Sequence, residues 1–587
     1  MIVPMKQLTL LVSRKEQQNA IQKMRQLGIL HIKHVQSPDS EETDRYKREL
    51  DRVEKARLVI DPESLGKASG QVNEGPELVN RILDLVSERD GLKSRYSEMQ
   101  NLRQWFSEWG DVSYASVQEV EAAGCYFKFY KTDAAGLKKL PEEKTVQILK
   151  EEKGSINIAL ISDSPDDSLD FKEERMPQVE VTELDQDLRE VESHLASVQN
   201  RIDALKTQSG VLLAYRNSLT KKLEFSQALA GMGNAEQIAY LQGYCPEDAV
   251  GDFKKAADSE HWGYMLQDPE NITEVPTLLK NSKFLRIIEP LFHFMGTMPG
   301  YHETDVSFVF LLFFSLFYAM IIGDAGYGLV FLGLTAWLRS KNKKAPVEPF
   351  ALFYVLSVTT VIWGLLTGTW FGSRAIAEWV PLKRFIIEPM FSFNESDKAT
   401  FFMMRLSFIL GLIHLIFAHF TAFLKKLPSL KAYVQLGWVL VCIGMFFVVD
   451  LLVLSNPMPP YAMPIFIAGF SMIGLFTNFQ KNPLKMIGSF IGAILNSIQS
   501  SISAFSDIVS YIRLFAVGLA GVTVAASFND MASGIFAPVV LLLGHGLNIV
   551  LGLMSVMVHG VRLNMLEFSG HLGQEWTGHP YEPFKES

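Results

Sequence analysis

Two arginines lie deep inside long apolar segments between Asn496 and Arg562, and their spacing from other polar residues points to charge chemistry. Arg513 ends a run whose members are three and four residues apart, which places them on one helix face. This first seam contains Asn496, Gln499, Ser503, Ser506 and Ser510. Arg562 ends a second seam with the same spacing, which contains His545, Asn548, Gly552, Ser555 and His559. An arginine at the middle of a bilayer costs about 2.5 kcal/mol or more, so each guanidinium needs a partner or an aqueous cavity. The pattern favours an ion pathway.

Simpler interpretations exist for the polar residues of these segments. Ordinary helix packing, with serine hydroxyls bonded to backbone carbonyls, explains isolated serines well but six seam positions in a row poorly. Glu567 fits a place in the pathway and a structural ion pair equally well. We expect Asp324 to cap a helix start, His414 to be a satisfied packing histidine, and Asp450 to lie at the outer interface.

Charge divides the chain into two halves. The first 304 residues carry 38 Lys and Arg against 50 Asp and Glu, whereas residues 305–587 carry only 17 against 14. The first half is therefore a charged soluble region, and the second is a membrane region in contact with lipid. The start of the chain has charges within its apolar run and no cleavage pattern, so we expect no signal peptide and a cytoplasmic N-terminal half.

The membrane region contains apolar runs long enough for eight transmembrane helices. They lie near 305–322, 324–339, 350–372, 402–424, 433–454, 461–479, 484–531 and 536–570. Basic clusters follow the second, fourth and sixth runs, so the positive-inside tendency places both termini in the cytoplasm. A continuous helix from Lys485 to Ser533 would be roughly 70 Å long at 1.5 Å per residue. The seventh span must therefore tilt steeply, break or project into water. Its face beyond Arg513 is small, which permits close approach of another helix; this face contains Ala516, Ala520, Thr523 and Ser527.

The soluble half predicts an α+β region of two lobes joined by an antiparallel coiled-coil hairpin. Short strand and helix patterns at 1–40 and 235–300 form the proximal lobe, and 106–179 forms the distal lobe. Heptad-like arms at 41–105 and 180–234 join them, and 301–587 is the membrane domain. A dimerising coiled coil is the alternative. Two arms of similar length around one lobe favour the hairpin within a single chain.

Several motifs together resemble the membrane-arm stator subunit of V-type and A-type rotary ATPases, called subunit a in eukaryotes and subunit I in bacteria and archaea. They are SDIVSYIRLFAVGLAG (506–521), HGVRLNMLEF with PYEPF (559–568, 580–584), GDAGYG (323–328), WGLLTGTWFG (363–372), LGLIH (410–414) and PTLLKNSKF (276–284). The resemblance implies a cell-membrane protein of a bacterium or archaeon. Asp507 stands where many eukaryotic relatives have histidine.

The resemblance also implies partners and roles. The partners are a rotating ring of c-type (proteolipid) subunits, peripheral stalks of the E/G type and a central-stalk adaptor of the d/C type. Arg513 corresponds to the family's essential arginine and Arg562 to its second one, and both would separate two ion half-channels. The half-channel residues would be Asn496, Gln499, Ser503, Ser506, Asp507, Ser510, His545, Asn548, Ser555, His559 and Glu567.

Other function classes fit the sequence less well. A secondary transporter would show internal repeats and needs no stalk of this size, and a membrane tether leaves both seams without a role. We find no nucleotide-binding motif in the soluble half. The three cysteines have no metal-ligand spacing. We therefore expect no catalytic site, cofactor, metal or nucleic acid partner, while proton and sodium both remain open as the transported ion.

Overall fold

The computed structural model describes residues 1–61, 68–141, 143–152, 154–394, 396–477 and 483–586. It separates into two compact units, Met1–Val12, Gln22–Lys33 and Tyr240–Ser587 in one, and Ser13–Ile21 and His34–Ala239 in the other. The strands are β1 (Met5–Ser13), β2 (His31–Lys33), β3 (Tyr126–Thr132), β4 (Thr145–Glu152), β5 (Ser155–Ser162), β6 (Glu173–Glu174), β7 (Gly233–Ala235), β8 (Ile238–Pro246) and β9 (Gly263–Gln267).

Most of the chain is helical, and the helices below are numbered in chain order. Those before the membrane region are α1 (Gln17–Leu27), α2 (Glu41–Ile60), α3 (Gly75–Trp109), α4 (Tyr114–Ala122), α5 (Ala134–Leu137), α6 (Val181–Ala204), α7 (Ser209–Ala230), α8 (Val250–Ser259) and α9 (Glu289–Met295). Those of the membrane region are α10 (Ser307–Ile322), α11 (Ala325–Lys341), α12 (Val347–Thr367), α13 (Arg374–Ala377), α14 (Val380–Lys383), α15 (Asp397–Lys426), α16 (Tyr433–Leu454), α17 (Ala462–Thr477), α18 (Pro483–Ser510), α19 (Ile512–Met531), α20 (Ala537–Ser555) and α21 (Ser569–Leu572).

The unit that contains residues 34–239 has a sheet and four long helices. The sheet has the order β4-β5-β3-β6, and its core includes Tyr130, Ile158 and Leu160. Helices α3 and α6 run antiparallel, because Arg103 pairs with Asp185 at 2.7 Å while Arg201, further along α6, pairs with Glu88 at 3.4 Å. Apolar residues of α2, α3, α6 and α7 form one buried cluster. The predicted hairpin arms are thus long helices packed side by side.

In the other unit a sheet of order β2-β8-β1-β9 adjoins the membrane helices. The C-terminal tail returns to this sheet, where the Phe584 backbone N–H donates to Leu30 O at 2.9 Å and the Tyr581 hydroxyl donates to Ile29 O at 2.6 Å. At the end of α15, Lys425 Nζ donates to His302 O at 2.6 Å. The ends of α15 and α21 therefore lie next to the sheet. We call this side of the membrane region the lobe end and the opposite side the far end.

Helix α10 is the centre of the membrane region because phenylalanines on several of its faces are buried. Phe310, Phe314 and Phe317 pack in one core with Tyr511 and Phe568. Glycines allow the neighbouring backbones to approach closely: a Cβ on Gly518 of α19 would lie 2.5 Å from Met320 O of α10. The sequence pattern of near-continuous apolar residues thus corresponds to a helix surrounded by other helices.

Five helices in the described residues are long and apolar enough to cross a membrane, and the number rises to six if α10 and α11 count as one bent span. Helices α10 and α11 are bent by 119° at their break, and the sequence predicts the boundary between two separate spans at this position. Helix α17 is apolar but only 16 residues long. The end of the predicted span 461–479, the basic residue Lys481 and the side chain of Lys485 lie outside the described residues. The five long apolar helices make this an integral membrane protein.

The predicted seventh span is one long helical stretch with an irregularity at Tyr511, where α18 ends and α19 begins. Together they form a stretch of 45 residues, Ile487–Met531, that is long and apolar enough to cross a membrane. The last predicted span is also long, from Gly534 to Leu572, and it includes two π-helical segments, Val556–Gly560 and Leu563–Phe568. Both arginines therefore lie at irregular points of their helices, a feature frequent at functional sites.

Candidate functional site

Arg513 has an acidic partner within the chain. Its Nη2 donates to Glu567 Oε1 at 2.6 Å, and its Nε donates to the Ser510 carbonyl at 2.9 Å. Arg562 approaches the same Oε1 with its Nε at 3.7 Å. Two guanidinium groups thus share one carboxylate, which leaves a formal excess of one positive charge. Of the alternatives open for Glu567, the structure shows an ion pair.

The three charged groups differ in exposure. The side chain of Glu567 is 4% exposed, that of Arg513 is 21% exposed, and that of Arg562 is 56% exposed. The Arg513 pair lies at the surface of the chain, and its second terminal nitrogen, Nη1, makes no hydrogen bond to the described residues. Because arginine has five N–H donors, Arg513 keeps donor capacity for an incoming group.

The first seam lies on the exposed side of α18. Asn496, Gln499, Ser503 and Ser506 are all exposed, whereas the Ser510 hydroxyl donates to Glu567 Oε1 at 3.0 Å. The same face continues on α19 with the small side chains of Ala516, Ala520, Thr523 and Ser527, which are exposed as well. Arg513 is itself partly buried and stands near the middle of a stripe whose members on either side are exposed, polar toward the lobe end and small toward the far end.

The second seam is closed by hydrogen bonds within the chain. The Tyr327 hydroxyl lies 2.7 Å from His545 Nδ1 and accepts from Asn548 Nδ2 at 3.0 Å. His545 Nε2 lies 3.2 Å from Asn529 Oδ1. A cavity of about 380 Å³ adjoins this network, and Asn548, Ser555 and Tyr327 contribute polar groups to its lining. We call Tyr327, Asn529, His545 and Asn548 the far-end network.

Asp324 fixes the position of Tyr327. The carboxylate caps α11 by accepting from the backbone N–H groups of Gly326 at 2.7 Å and Tyr327 at 3.2 Å, as the sequence predicts. It also accepts from the backbone of Phe371 at 2.9 Å and Gly372 at 3.0 Å. One buried carboxylate thereby joins the start of α11 to the loop after α12.

The other ionisable residues differ in how fully they are bonded. His414 is fully buried, its Nδ1 lies 2.9 Å from the Tyr511 hydroxyl, and its ring stacks on Phe568, so it packs as the sequence predicts. Its Nε2 has no hydrogen-bond partner among the described residues, so the histidine is not fully satisfied. Asp450 is buried and accepts from Arg405 Nη2 at 3.1 Å and Asn456 Nδ2 at 3.0 Å. His559 lies beside the arginines, and its Nδ1 is buried without a hydrogen-bond partner among the described residues.

Sequence reasoning missed four residues that the fold brings to these seams. Tyr327 and Asn529 join the far-end network, while His419 and His571 lead away from Asp507 of the first seam. Tyr327 had a usable signal, because it lies within the GDAGYG motif beside Asp324. The two histidines are 152 residues apart and carry no spacing signal.

Similar proteins identify the family. No protein-family model matches the chain. The chain is 32% identical over 623 residues to "V-type ATP synthase subunit I 1" of Treponema pallidum and 32% identical over 628 residues to "V-type ATP synthase subunit I" of Borreliella burgdorferi, with all of both chains covered in each case. It is 25% identical over 456 residues to "A-type ATP synthase subunit I" of Methanocaldococcus jannaschii, which covers 70% of this chain and 64% of that protein. With full-length relatives at this identity and a membrane region built around Arg513 and Arg562, the chain belongs to the subunit I family of V-type and A-type ATP synthases.

Proposed function

We propose that this chain is the stator subunit of a rotary V/A-type ATPase or ATP synthase, in which it guides H⁺ or Na⁺ past a rotating ring of c-type subunits. The observation that carries the proposal is the exposed stripe along α18 and α19 with Arg513 near its middle. Polar side chains on a membrane-facing helix are costly against lipid, so a partner or water covers them. Small residues beyond Arg513 favour a closely packed helix as that partner.

The charge balance suits a ring that carries carboxylates. Arg513 and Arg562 stay protonated, and Glu567 neutralises only one of them. A carboxylate that reaches the remaining positive charge is stabilised in its ionised form and releases its ion. Glu567 holds the Arg513 side chain in place between visits of ring carboxylates. An Arg513 locked in this internal ion pair, with no ring-sized concave surface beside it, would count against this function.

The two seams serve as half-channels on opposite sides of the arginines. The first seam gives access from the lobe end, and the cavity beside Asn548 and Ser555 gives access from the far end. The guanidinium groups block direct passage between them, so an ion crosses only by riding on the ring. Each charge that crosses exchanges about 2.3 kcal/mol per 100 mV with the membrane potential.

The remaining organisation follows from the same role. We propose eight transmembrane helices, with the proximal lobe, the distal lobe, the coiled-coil hairpin between them and the C-terminus in the cytoplasm of a bacterium or archaeon. The arm binds E/G-type peripheral stalks, and a d/C-type adaptor meets the central stalk. The chain has no catalytic site of its own.

Replacement of Arg513 tests the proposal. In membrane vesicles that contain the whole complex, Arg513→Ala abolishes ATP-driven ion uptake while the complex still assembles. Arg374→Ala is the control, because Arg374 forms an exposed ion pair with Glu378 at 2.9 Å and belongs to neither seam. Ion uptake by the Arg513→Ala complex at the rate of the control contradicts the proposed function. Failure of the chain to copurify with a ring of small membrane subunits contradicts it as well.

A further inference from the structure

A chain of hydrogen bonds leaves the first seam through the interior of the membrane region. Asp507 Oδ2 lies 2.9 Å from His571 Nε2, His571 Nδ1 lies 3.0 Å from His419 Nε2, and His419 Nδ1 lies 2.9 Å from Gln435 Oε1. Asp507 is 30% exposed at the seam, whereas His419 is buried at 4%. Gln435 lies in the first turn of α16, at the lobe end.

The number of protons on these four side chains follows from the hydrogen bonds that they make. His571 Nε2–H donates to the Asp507 carboxylate, and His419 Nδ1–H donates to Gln435 Oε1. If both imidazoles are neutral, the two facing nitrogens are then lone pairs 3.0 Å apart, which is an unfavourable contact. One additional proton on His419 Nε2 turns this contact into a hydrogen bond, so that every nitrogen of the two imidazoles has a partner.

Rotation of the Gln435 amide gives a second complete arrangement without the additional proton. The amide N–H₂ then donates to His419 Nδ1, His419 Nε2–H donates to His571 Nδ1, and His571 Nε2–H donates to Asp507. The two fully bonded states differ by one proton and one amide rotation. A set of groups that can take up one proton and pass it on, with every imidazole nitrogen bonded in either state, can act as a proton relay.

We propose that Asp507, His571, His419 and Gln435 form a proton relay between the first seam and the lobe end. The transported ion is then a proton. The proposal rests on the function proposed above and specifies its ion. In one transfer His419 loses its Nε2 proton to His571 Nδ1, while His571 loses its Nε2 proton to the Asp507 carboxylate. Two N–H bonds break, one N–H and one O–H bond form, and one unit of charge moves to the seam.

Sodium cannot use this route. Hard cations require several oxygen ligands, whereas the middle of the chain consists of two imidazole nitrogens at hydrogen-bond distance. A metal ion is the other occupant that histidines suggest, since Cys442, His419 and His571 each offer one ligand atom and these atoms lie within 4.8 Å of one another. A contact of 3.0 Å between the nitrogens suits a shared proton better than two ligands of one zinc ion.

The other charged groups near the relay do not interrupt it. Lys426 of α15 and His414 one helix face away act on the histidines only over a distance, and Trp438 of α16 stacks on the His419 ring. Cys442 of α16 is buried beside the histidines and lies outside the hydrogen-bond chain. The relay therefore needs both histidines and does not need the thiol.

Glutamine replacements test the relay in vesicles that contain the whole complex. His419→Gln and His571→Gln keep polar contacts but do not carry an imidazole proton, so each lowers the initial rate of ATP-driven acidification by about tenfold or more. Cys442→Ala is the control and leaves the rate unchanged. Complex assembly, measured by copurification of the other subunits, stays normal in all three variants.

The results that would overturn the relay differ from the result that would overturn the stator function. Acidification at the wild-type rate in both histidine variants contradicts the relay, and so does ATP-driven uptake of ²²Na⁺ in place of protons by the wild-type complex. If Cys442→Ala costs as much as the histidine variants and a chelator has the same effect, the site holds a metal ion. In all these cases Arg513→Ala still abolishes transport; if it does not, the stator function itself fails.

Discussion

The two seams have the same spacing in the sequence but opposite surroundings in the fold. The first seam presents Asn496, Gln499 and Ser503 at the surface of the chain, whereas His545 and Asn548 of the second seam bond to Tyr327 inside it. An exposed polar stripe within a membrane is incomplete without a partner. The cavity beside Asn548 is lined mostly by apolar residues, and Ala516 and Ala520 of the exposed stripe form part of its wall. The comparison indicates that the first seam needs a partner for its exposed polar groups, whereas His545 and Asn548 of the second seam already have partners within the chain.

Replacement of Asp324 should have the largest effect on the second seam, because the Asp324 carboxylate holds Tyr327 of the far-end network in place. Asp324→Ala leaves four backbone N–H groups without their acceptor in a buried place, which costs roughly 3 kcal/mol or more. We expect a lower melting temperature of the purified complex and lower recovery of the chain. Asp530→Ala, an exposed acidic residue at the far end, is the control. Equal stability of both variants would show that the α11 start does not depend on the carboxylate.

Removal of the Tyr327 hydroxyl should disturb the far-end network without unfolding the protein. Tyr327→Phe leaves His545 and Asn548 without their common partner, so we expect the rate of ATP-driven ion uptake to fall by about three- to tenfold. Tyr318→Phe is the matched control, because Tyr318 is equally buried on α10 and lies outside the far-end network. Equal rates in the two variants would assign the network to packing alone.

Local patterns predicted much of this molecule. The bounds of α16 agree with the predicted span 433–454, since an apolar run within one segment is enough to place a helix. The cap by Asp324 was also predictable, because a cap involves residues two and three positions further along the chain.

Contacts between distant helices were not predictable from spacing. Glu567 lies 54 residues from Arg513, and Tyr327 lies 218 residues from His545, so only the packing of several helices brings each pair together. For the same reason the sequence located the seams but could not show which is open. The prediction that Arg513 needs a partner or a cavity was physical, and the fold provides Glu567.

Thiol labelling tests the difference in exposure between the two seams, and we expect a smaller effect than from the replacements above. In the isolated chain in detergent, Gln499→Cys should react quickly with a soluble maleimide, because position 499 is exposed, whereas Asn548→Cys should react slowly at its buried position. In the assembled complex only the Gln499→Cys reaction should slow, since the ring covers the first seam. Unchanged labelling of Gln499→Cys on assembly would place the ring elsewhere.

That experiment requires native cysteines that do not react with maleimide, and the burial of each thiol predicts which of them react. Cys245 is buried in the sheet next to the membrane helices, where burial raises the pKa of its thiol to about 12. Because only the thiolate attacks maleimide, Cys245 should stay unlabelled between pH 7 and about pH 9 in the folded protein, while the partly exposed Cys125 is accessible to the reagent.

The same thiol gives a pH dependence whose sign is fixed by the direction of its shift. The unfolded thiol has a pKa near 9.0 and the folded thiol has a higher one, so ionisation above pH 9.0 favours the unfolded state. Cys245→Ala should therefore lose less stability than the wild type between pH 8 and about pH 10, as measured by thermal unfolding of the complex. Labelling of Cys245 at the rate of Cys125 at neutral pH would show that the sheet opens readily, and exposure at Gln499 would then no longer distinguish the two seams.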